Sequence, residues 1–109
     1  MNAKQSNDLR QTNILLVDDE WENLLLLEQM LEDPSYNLVK ADSGISAIRH
    51  LLKDDFDLVV LDVKMPGMDG FETARLIRGL AKTCDTPIVF AAEEYKEIEQ
   101  IAKQYPLNV

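Results

Sequence analysis

Three short apolar runs constrain the fold of this chain more than any other feature. They occupy residues 14–17 (ILLV), 58–61 (LVVL) and 88–91 (IVFA), and none alternates strictly between apolar and polar residues. Runs of this kind are typical of strands that are buried on both faces, as in a parallel sheet covered by helices. A weaker candidate at 36–40 (YNLVK) has the mixed character of an edge strand. The sequence therefore predicts four strands of a parallel sheet.

Segments with helical spacing lie between and after these runs. Apolar residues recur there at intervals of three or four, opposite charged residues. The four stripes are Leu24, Leu27 and Leu31; Ile45, Ile48 and Leu52; Ala74, Ile77 and Ala81; and Tyr95, Ile98, Ala102 and Tyr105. Pro34 is predicted to end the first helix, Ser43 to cap the second, and a loop with Asp69-Gly70 to precede a third that begins near Phe71. This β-α-β-α-β-α-β-α order predicts a doubly wound sheet with right-handed crossovers.

Size and composition exclude several classes of protein. The chain has 109 residues, of which 46% are apolar, so we expect one globular domain over 13–109 after a polar tail at 1–12. Twenty acidic residues against 11 basic ones give a net charge of -9, which argues against direct nucleic-acid binding. The single cysteine, Cys84, excludes an intrachain disulfide. Neither a signal peptide nor an apolar run of about 18 residues is present, so we expect a cytoplasmic chain without a membrane span.

Acidic residues directly follow the first and third predicted strands. Asp18, Asp19 and Glu20 come after the first, and Asp62 comes after the third. Ligands of doubly wound sheets bind beyond the carboxyl ends of the strands, so three aspartates converge there if the strand order is 2-1-3-4-5. Two carboxylates roughly 4 to 5 Å apart repel each other by about 4 kcal/mol at an effective dielectric near 20. A divalent cation removes this cost, and Mg²⁺ suits a site with few carboxylates that must also accept a phosphate oxygen.

Four segments resemble the receiver domain of two-component response regulators: ILLVDDEWENLLLLEQML, ADSGISAI, DLVVLDVKMPGMDGFETARLIR and TPIVF. VLDVKMPGMDG is the strong signal for this resemblance, because an isolated Asp-Asp pair is a weak one and an acidic run after a strand is more often a solvated loop or a helix N-cap. The resemblance implies a flavodoxin-like fold in which Asp62 is the phosphoacceptor. It also implies that Asp19 binds Mg²⁺ directly, that Asp18 binds it through water or in part, and that the main-chain carbonyl of Lys64 is a further ligand.

The resemblance also implies partners. A phosphohistidine on a sensor histidine kinase or a phosphotransfer domain would donate the phosphoryl group to Asp62, and an effector that the sequence does not identify would receive the signal. The chain would then be a signalling module rather than an enzyme, assisting only its own phosphotransfer and dephosphorylation. In the family, the positions of Lys64 and Glu94 modulate access of water to the acyl phosphate, although an ordinary solvated side chain is an equal alternative for both.

The sequence departs from the family pattern near its end. Receivers usually carry Ser or Thr at the end of the fourth strand, where this chain has Ala92, and residues 87–109 contain neither. The usual coupling of the phosphate to the fourth-strand loop is therefore in doubt. The lysine of the fifth strand and the aromatic residue before it have no counterpart, so we expect the fifth strand and last helix to be truncated and the chain to be a fragment. If the chain ends at Val109, the exposed fourth strand favours pairing between two copies as a homodimer.

Other functions compete with a phosphoacceptor. A receiver-like domain that recognises a partner without phosphorylation is favoured by Ala92 and the missing lysine. A Mg²⁺-dependent phosphatase would need Asp-x-Asp after the first strand, and a flavin site would need a Ser/Thr/Gly-rich loop there, whereas this chain has Asp-Asp-Glu. His50 could be a phosphohistidine donor, but an exposed helical histidine is the more ordinary interpretation. For Trp21, a docking contact and a half-buried staple are equal alternatives.

Overall fold

A computed structural model of the chain describes residues 11–91. Four strands alternate with three helices in this range: β1 (Thr12–Val17), α1 (Trp21–Met30), β2 (Tyr36–Ala41), α2 (Gly44–Lys53), β3 (Leu58–Asp62), α3 (Gly70–Gly79) and β4 (Ile88–Ala91). The strands form one parallel sheet in the order β2-β1-β3-β4. This confirms the predicted order of the first four strands. The helix predicted around 95–105 and the predictions for Ala92, Glu94 and the fifth strand lie outside the described residues.

The two faces of the sheet carry different apolar clusters. Side chains alternate along each strand, so neighbouring residues of β1 and β3 point to opposite faces. One face packs against α2 and α3, and its buried members include Leu15, Val59, Leu61, Leu51 and Ile77. The other packs against α1, with Ile14, Leu16, Leu24 and Val60 buried. Each fully buried leucine or isoleucine contributes roughly 1.5–3 kcal/mol, so both clusters hold helices on the sheet. Helices therefore cover both faces, as the doubly wound prediction requires.

The buried face of α2 lies one residue away from the predicted stripe. The stripe placed Ile45 and Leu52 in the core, but these side chains are 52% and 55% exposed. Gly44, Ala47 and Leu51 are buried instead. One residue corresponds to about 100° around a helix, so the prediction had the period right and the direction of the face partly wrong.

The close packing of Gly44 explains why this face of α2 is buried. A β-carbon on Gly44 would collide with the hydroxyl oxygen of Thr73 on α3 and lie 3.3 Å from the sulfur of Met68. Gly44 therefore allows α2 and α3 to approach closely, and a larger residue there would separate them. The spacing of large apolar residues carries no signal for a contact made by glycine, which has no side chain.

The helix ends follow the predicted chemistry in α2 and α3. The hydroxyl of Ser43 accepts a hydrogen bond from the backbone N–H of Ser46 at 3.0 Å. The carboxylate of Asp69 accepts one from the backbone N–H of Glu72 at 2.9 Å. α1 ends at Met30, shortly before the predicted boundary at Pro34. Within residues 11–91, no helix combines the length and the apolar character that crossing a lipid bilayer requires.

Candidate functional site

The structure brings the three predicted aspartates together at the carboxyl edge of the sheet. β1 and β3 are hydrogen-bonded neighbours, and Val17 lies opposite Leu61 in their register. Asp18 and Asp62, the next residues along the two strands, therefore lie side by side at the carboxyl edge of the sheet. One carboxylate oxygen from each of Asp18, Asp19 and Asp62 lies within 4.8 Å of the other two. Two segments that are distant in sequence thus form one acidic pocket.

Asp18 is the fixed, interior member of this acidic pocket. Its side chain is buried, and one carboxylate oxygen accepts a hydrogen bond from the backbone N–H of Glu20 at 2.9 Å. Its own backbone N–H donates to the carbonyl of Ala41, which extends the β1–β2 ladder by one residue. Asp19 is exposed. The loop therefore presents one carboxylate anchored by the backbone and one that faces solvent.

Asp62 is half-buried, and its pKa is raised to about 6, mainly by burial. The negative charges of Asp18 and Asp19 contribute to this rise, while hydrogen bonds from the backbone N–H groups of Val63 and Lys64 oppose it. A raised pKa means that the pocket resists a third negative charge. A cation bound there would relieve this repulsion and favour the ionised form of Asp62.

Two glycines shape the loop that carries Asp62. Gly67 has a φ of 75°, a left-handed conformation that residues with a side chain rarely adopt. A β-carbon on Gly70 would collide with the main-chain oxygen of Asp62 and lie 2.9 Å from the α-carbon of Val63. The N–H of Gly70 donates to the carbonyl of Val63 at 2.9 Å. The segment MPGMDG therefore turns sharply and begins α3 directly against the end of β3.

The donor atoms in the pocket fit Mg²⁺. Three carboxylates offer hard oxygen atoms at a mutual spacing that one ion can span, and Mg²⁺ at such sites keeps water ligands as well. Lys64 lies in the same loop, and its backbone N–H is bonded to the Asp62 carboxylate. Its side chain is exposed. The role of its carbonyl as a further ligand stays a prediction.

The remaining sequence-predicted residues fall in three places. Ala91, the last residue of β4, pairs with Asp62 across β3 and β4, and Ala92 and Glu94 lie outside the described residues. His50 is partly exposed on α2. Trp21 is 58% exposed, more than a half-buried staple requires.

One feature of this region was missed by the sequence analysis. The ammonium group of Lys40 lies 5.3 Å from the centroid of the Trp21 ring and is hydrogen-bonded to both carboxylate oxygens of Glu28. These contacts join β2 to α1, and no local motif indicates them. Only the alignment of the edge strand with the helix could have revealed them.

The chain belongs to the response regulator receiver domain family, whose model matches residues 14–106. It is 37% identical over 91 residues to the transcriptional regulatory protein ResD of Bacillus subtilis, covering 84% of this chain and 37% of that protein. It is 42% identical over 69 residues to the sensor histidine kinase GacS of Pseudomonas protegens, covering 63% of this chain and 8% of that protein. The chain thus spans between 8% and 37% of the length of these two curated relatives.

Solved structures agree with this assignment. The chemotaxis protein CheY4 of Vibrio cholerae is 29% identical with a TM-score of 0.79, over 90% of this chain and 82% of that one. A sensor protein from Polaromonas is 26% identical with a TM-score of 0.81, over 90% and 78% of the two chains. The predicted resemblance and the flavodoxin-like fold are therefore confirmed, and the chain is a receiver domain of two-component signalling.

Proposed function

We propose that this receiver domain accepts a phosphoryl group on Asp62 from the phosphohistidine of a sensor histidine kinase or a phosphotransfer domain. The observation that carries the proposal is the position of Asp62 at the end of β3, with its carboxylate within 4.8 Å of those of Asp18 and Asp19. Family membership supports two-component signalling in general, and the pocket points to this residue in particular.

Asp18, Asp19 and Asp62 would hold Mg²⁺, with the main-chain carbonyl of Lys64 as a further ligand. When bound, the ion supplies positive charge that offsets the carboxylates and the oxygens of an arriving phosphoryl group. The chemistry of the donor set supports this assignment, since every donor is a hard oxygen.

The residues of the chain supply a positioned nucleophile. The ionised Asp62 attacks phosphorus in line, so an O–P bond forms at its carboxylate while the P–N bond to the donor imidazole breaks and its electron pair returns to nitrogen. The backbone N–H groups of Val63 and Lys64 bind the Asp62 carboxylate and hold its orientation. The backbone N–H of Glu20 does the same for Asp18. The product is an acyl phosphate on Asp62.

In this proposal the domain signals through protein contacts and catalyses only its own phosphorylation and dephosphorylation. Lys64, and Glu94 beyond the described residues, would modulate the access of water to the acyl phosphate. The effector is a partner that the sequence does not identify, and the cytoplasm is the proposed location. Pairing between two copies stays a prediction, which light scattering across a range of protein concentrations checks.

Intact-mass measurement after incubation with Mg²⁺ and a small acyl phosphate or phosphoramidate tests the proposed function. We expect a gain of one phosphoryl group that Asp62→Asn abolishes. Asp57→Asn is the matched control, because Asp57 lies just before the opposite end of β3, where its carboxylate accepts the backbone N–H of Asn13 at 2.8 Å. It should retain the gain. Phosphorylation of Asp62→Asn to the wild-type extent would contradict the proposal.

A second candidate is a receiver that binds its partner without phosphorylation. It is favoured by Ala92, which replaces the usual Ser or Thr and cannot donate a hydrogen bond to a phosphoryl group. The same mass measurement separates the two candidates. No mass gain in the wild-type protein, with Mg²⁺ binding intact, would favour the second.

A further inference from the structure

One ammonium group links α1 to the edge of the sheet at two points. Lys40, on β2, is hydrogen-bonded to both carboxylate oxygens of Glu28 at 2.9 Å and lies 5.3 Å from the centroid of the Trp21 ring. The side chains of Lys40 and Glu28 are only 24% and 38% exposed. Trp21 and Glu28 are about two helical turns apart on one face of α1, so a single group contacts both its first and its third turn.

α1 has less support from other contacts than the other two helices. Among the described residues, its N-cap Glu20 makes no side-chain capping hydrogen bond, and Leu24 is its only fully buried member. α2 and α3 begin with the capping side chains of Ser43 and Asp69, and each buries at least three residues. The contacts of Lys40 therefore account for a larger share of what holds α1 in place.

The first turn of α1 is continuous with the acidic pocket. Asp18, Asp19, Glu20 and Trp21 are consecutive residues. The N–H of Glu20 donates to the Asp18 carboxylate at 2.9 Å, and the carbonyl of Glu20 accepts from the N–H groups of Asn23 and Leu24 at 3.1 and 3.2 Å. A rotation of this turn would consequently move the donor that orients Asp18.

We propose that Lys40 is a positioning residue for the acidic pocket. Through its contacts with Trp21 and Glu28 it fixes the first turn of α1 against the sheet, and this keeps the carboxylates of Asp18 and Asp19 close to that of Asp62. This inference rests on the proposed function, because Mg²⁺ binding is what the positioning serves. Lys40 touches none of the three aspartates in the contacts that the described residues make. Its effect passes through the backbone of α1.

A Mg²⁺ titration followed by calorimetry, with Trp21 fluorescence as a second signal, tests the inference. Trp21 is the only tryptophan of the chain, so its emission reports this contact directly. Lys40→Met keeps an apolar stem and removes the charge. We expect its Mg²⁺ affinity to fall about threefold to tenfold, since a cation–π contact and a partly buried ion pair are lost together. The tryptophan emission should change in the same variant.

Lys40→Arg should restore both signals to within about twofold of wild type, because a guanidinium group can pair with a carboxylate in bidentate fashion and stack on an aromatic ring. Lys53→Met, at the exposed end of α2, is the control and should leave both signals unchanged. Glu28→Gln weakens the ion pair alone and should give a smaller loss of Mg²⁺ affinity. If Lys40→Met does not fold, the Mg²⁺ affinity of Glu28→Gln tests the inference in its place.

Unchanged Mg²⁺ affinity in Lys40→Met, or equal losses in Lys40→Met and Lys40→Arg, would overturn the inference. Failure of the proposed function would give a different result in the Mg²⁺ titration. In that case Asp19→Asn would bind Mg²⁺ as tightly as wild type, whatever Lys40 does.

Discussion

The two loops that bring aspartates to the pocket are held in position by different means. The β3–α3 loop, which carries Asp62, depends on its own backbone: Gly67 adopts a left-handed turn and Gly70 lets α3 begin against the strand. The β1–α1 loop, with Asp18 and Asp19, depends on contacts between distant residues, including those of Lys40 on β2. The comparison indicates that the backbone of the β3–α3 loop places Asp62, whereas Asp18 and Asp19 depend in addition on contacts between residues that are distant in sequence.

Gly70→Ala should have the largest effect, because it breaks the rigid loop itself. The added carbon would meet backbone atoms of Asp62 and Val63, which cannot move aside as a flexible side chain could. We expect a loss of about 3 kcal/mol in the free energy of unfolding, measured by urea denaturation. Gly79→Ala is the matched control on the same helix, since no described atom lies within 4 Å of the added carbon. A comparable loss in both variants would show that the close approach at Gly70 is unimportant.

Mg²⁺ should couple the two loops and stabilise the fold by mass action. At a free concentration of roughly 100 times the dissociation constant, the expected gain is about 2.7 kcal/mol. Thermal unfolding with Mg²⁺ and with a chelator measures this gain. Asp18→Asn and Asp62→Asn should each remove most of it, although the two residues belong to different loops. Retention of the full gain in either variant would argue that the loops do not share one ion.

Gly67→Ala tests the turn without any collision. No described atom lies within 4 Å of the added carbon, so the cost is conformational alone. We expect a loss of about 1 kcal/mol in the free energy of unfolding. Gly67→Asn should cost less, because asparagine tolerates the left-handed region better. An alanine variant as stable as wild type would contradict the argument from this turn.

The raised pKa of Asp62 predicts a smaller effect that depends on pH. Since its pKa rises from 3.8 to about 6 on folding, the folded state takes up a proton between these values, and the contribution of Asp62 to stability falls as the pH rises through this window. Urea denaturation in chelator from about pH 7.5 to about pH 5 measures the slope. Asp62→Asn should flatten it and stabilise the protein at the upper end by about 1 kcal/mol or less, because solvent screens this half-buried group. Glu32→Gln, an exposed control, should retain the wild-type slope.

Features that depend on neighbouring residues could be predicted from the sequence, whereas features that depend on contacts between distant residues could not. The strands, the Ser43 cap and the loop around Gly70 follow from local patterns, because apolar runs, capping side chains and turn glycines act on neighbouring residues. The convergence of the aspartates needed one further assumption, the strand order. The link from Lys40 to α1 had no local signal, since its partners are 12 and 19 residues away in sequence. The face of α2 was misplaced because Gly44 packs closely without a side chain.

The alternation of buried residues along β3 restricts how this region can change in length. Val59 and Leu61 belong to one apolar cluster and Val60 to the other, and Asp62 comes immediately after them. An insertion or deletion of a single residue within β3 would exchange the two sets and turn Asp62 away from Asp18 and Asp19. Related sequences should therefore accept extra residues in the connection between α3 and β4, at the far end of the sheet, but not within this strand.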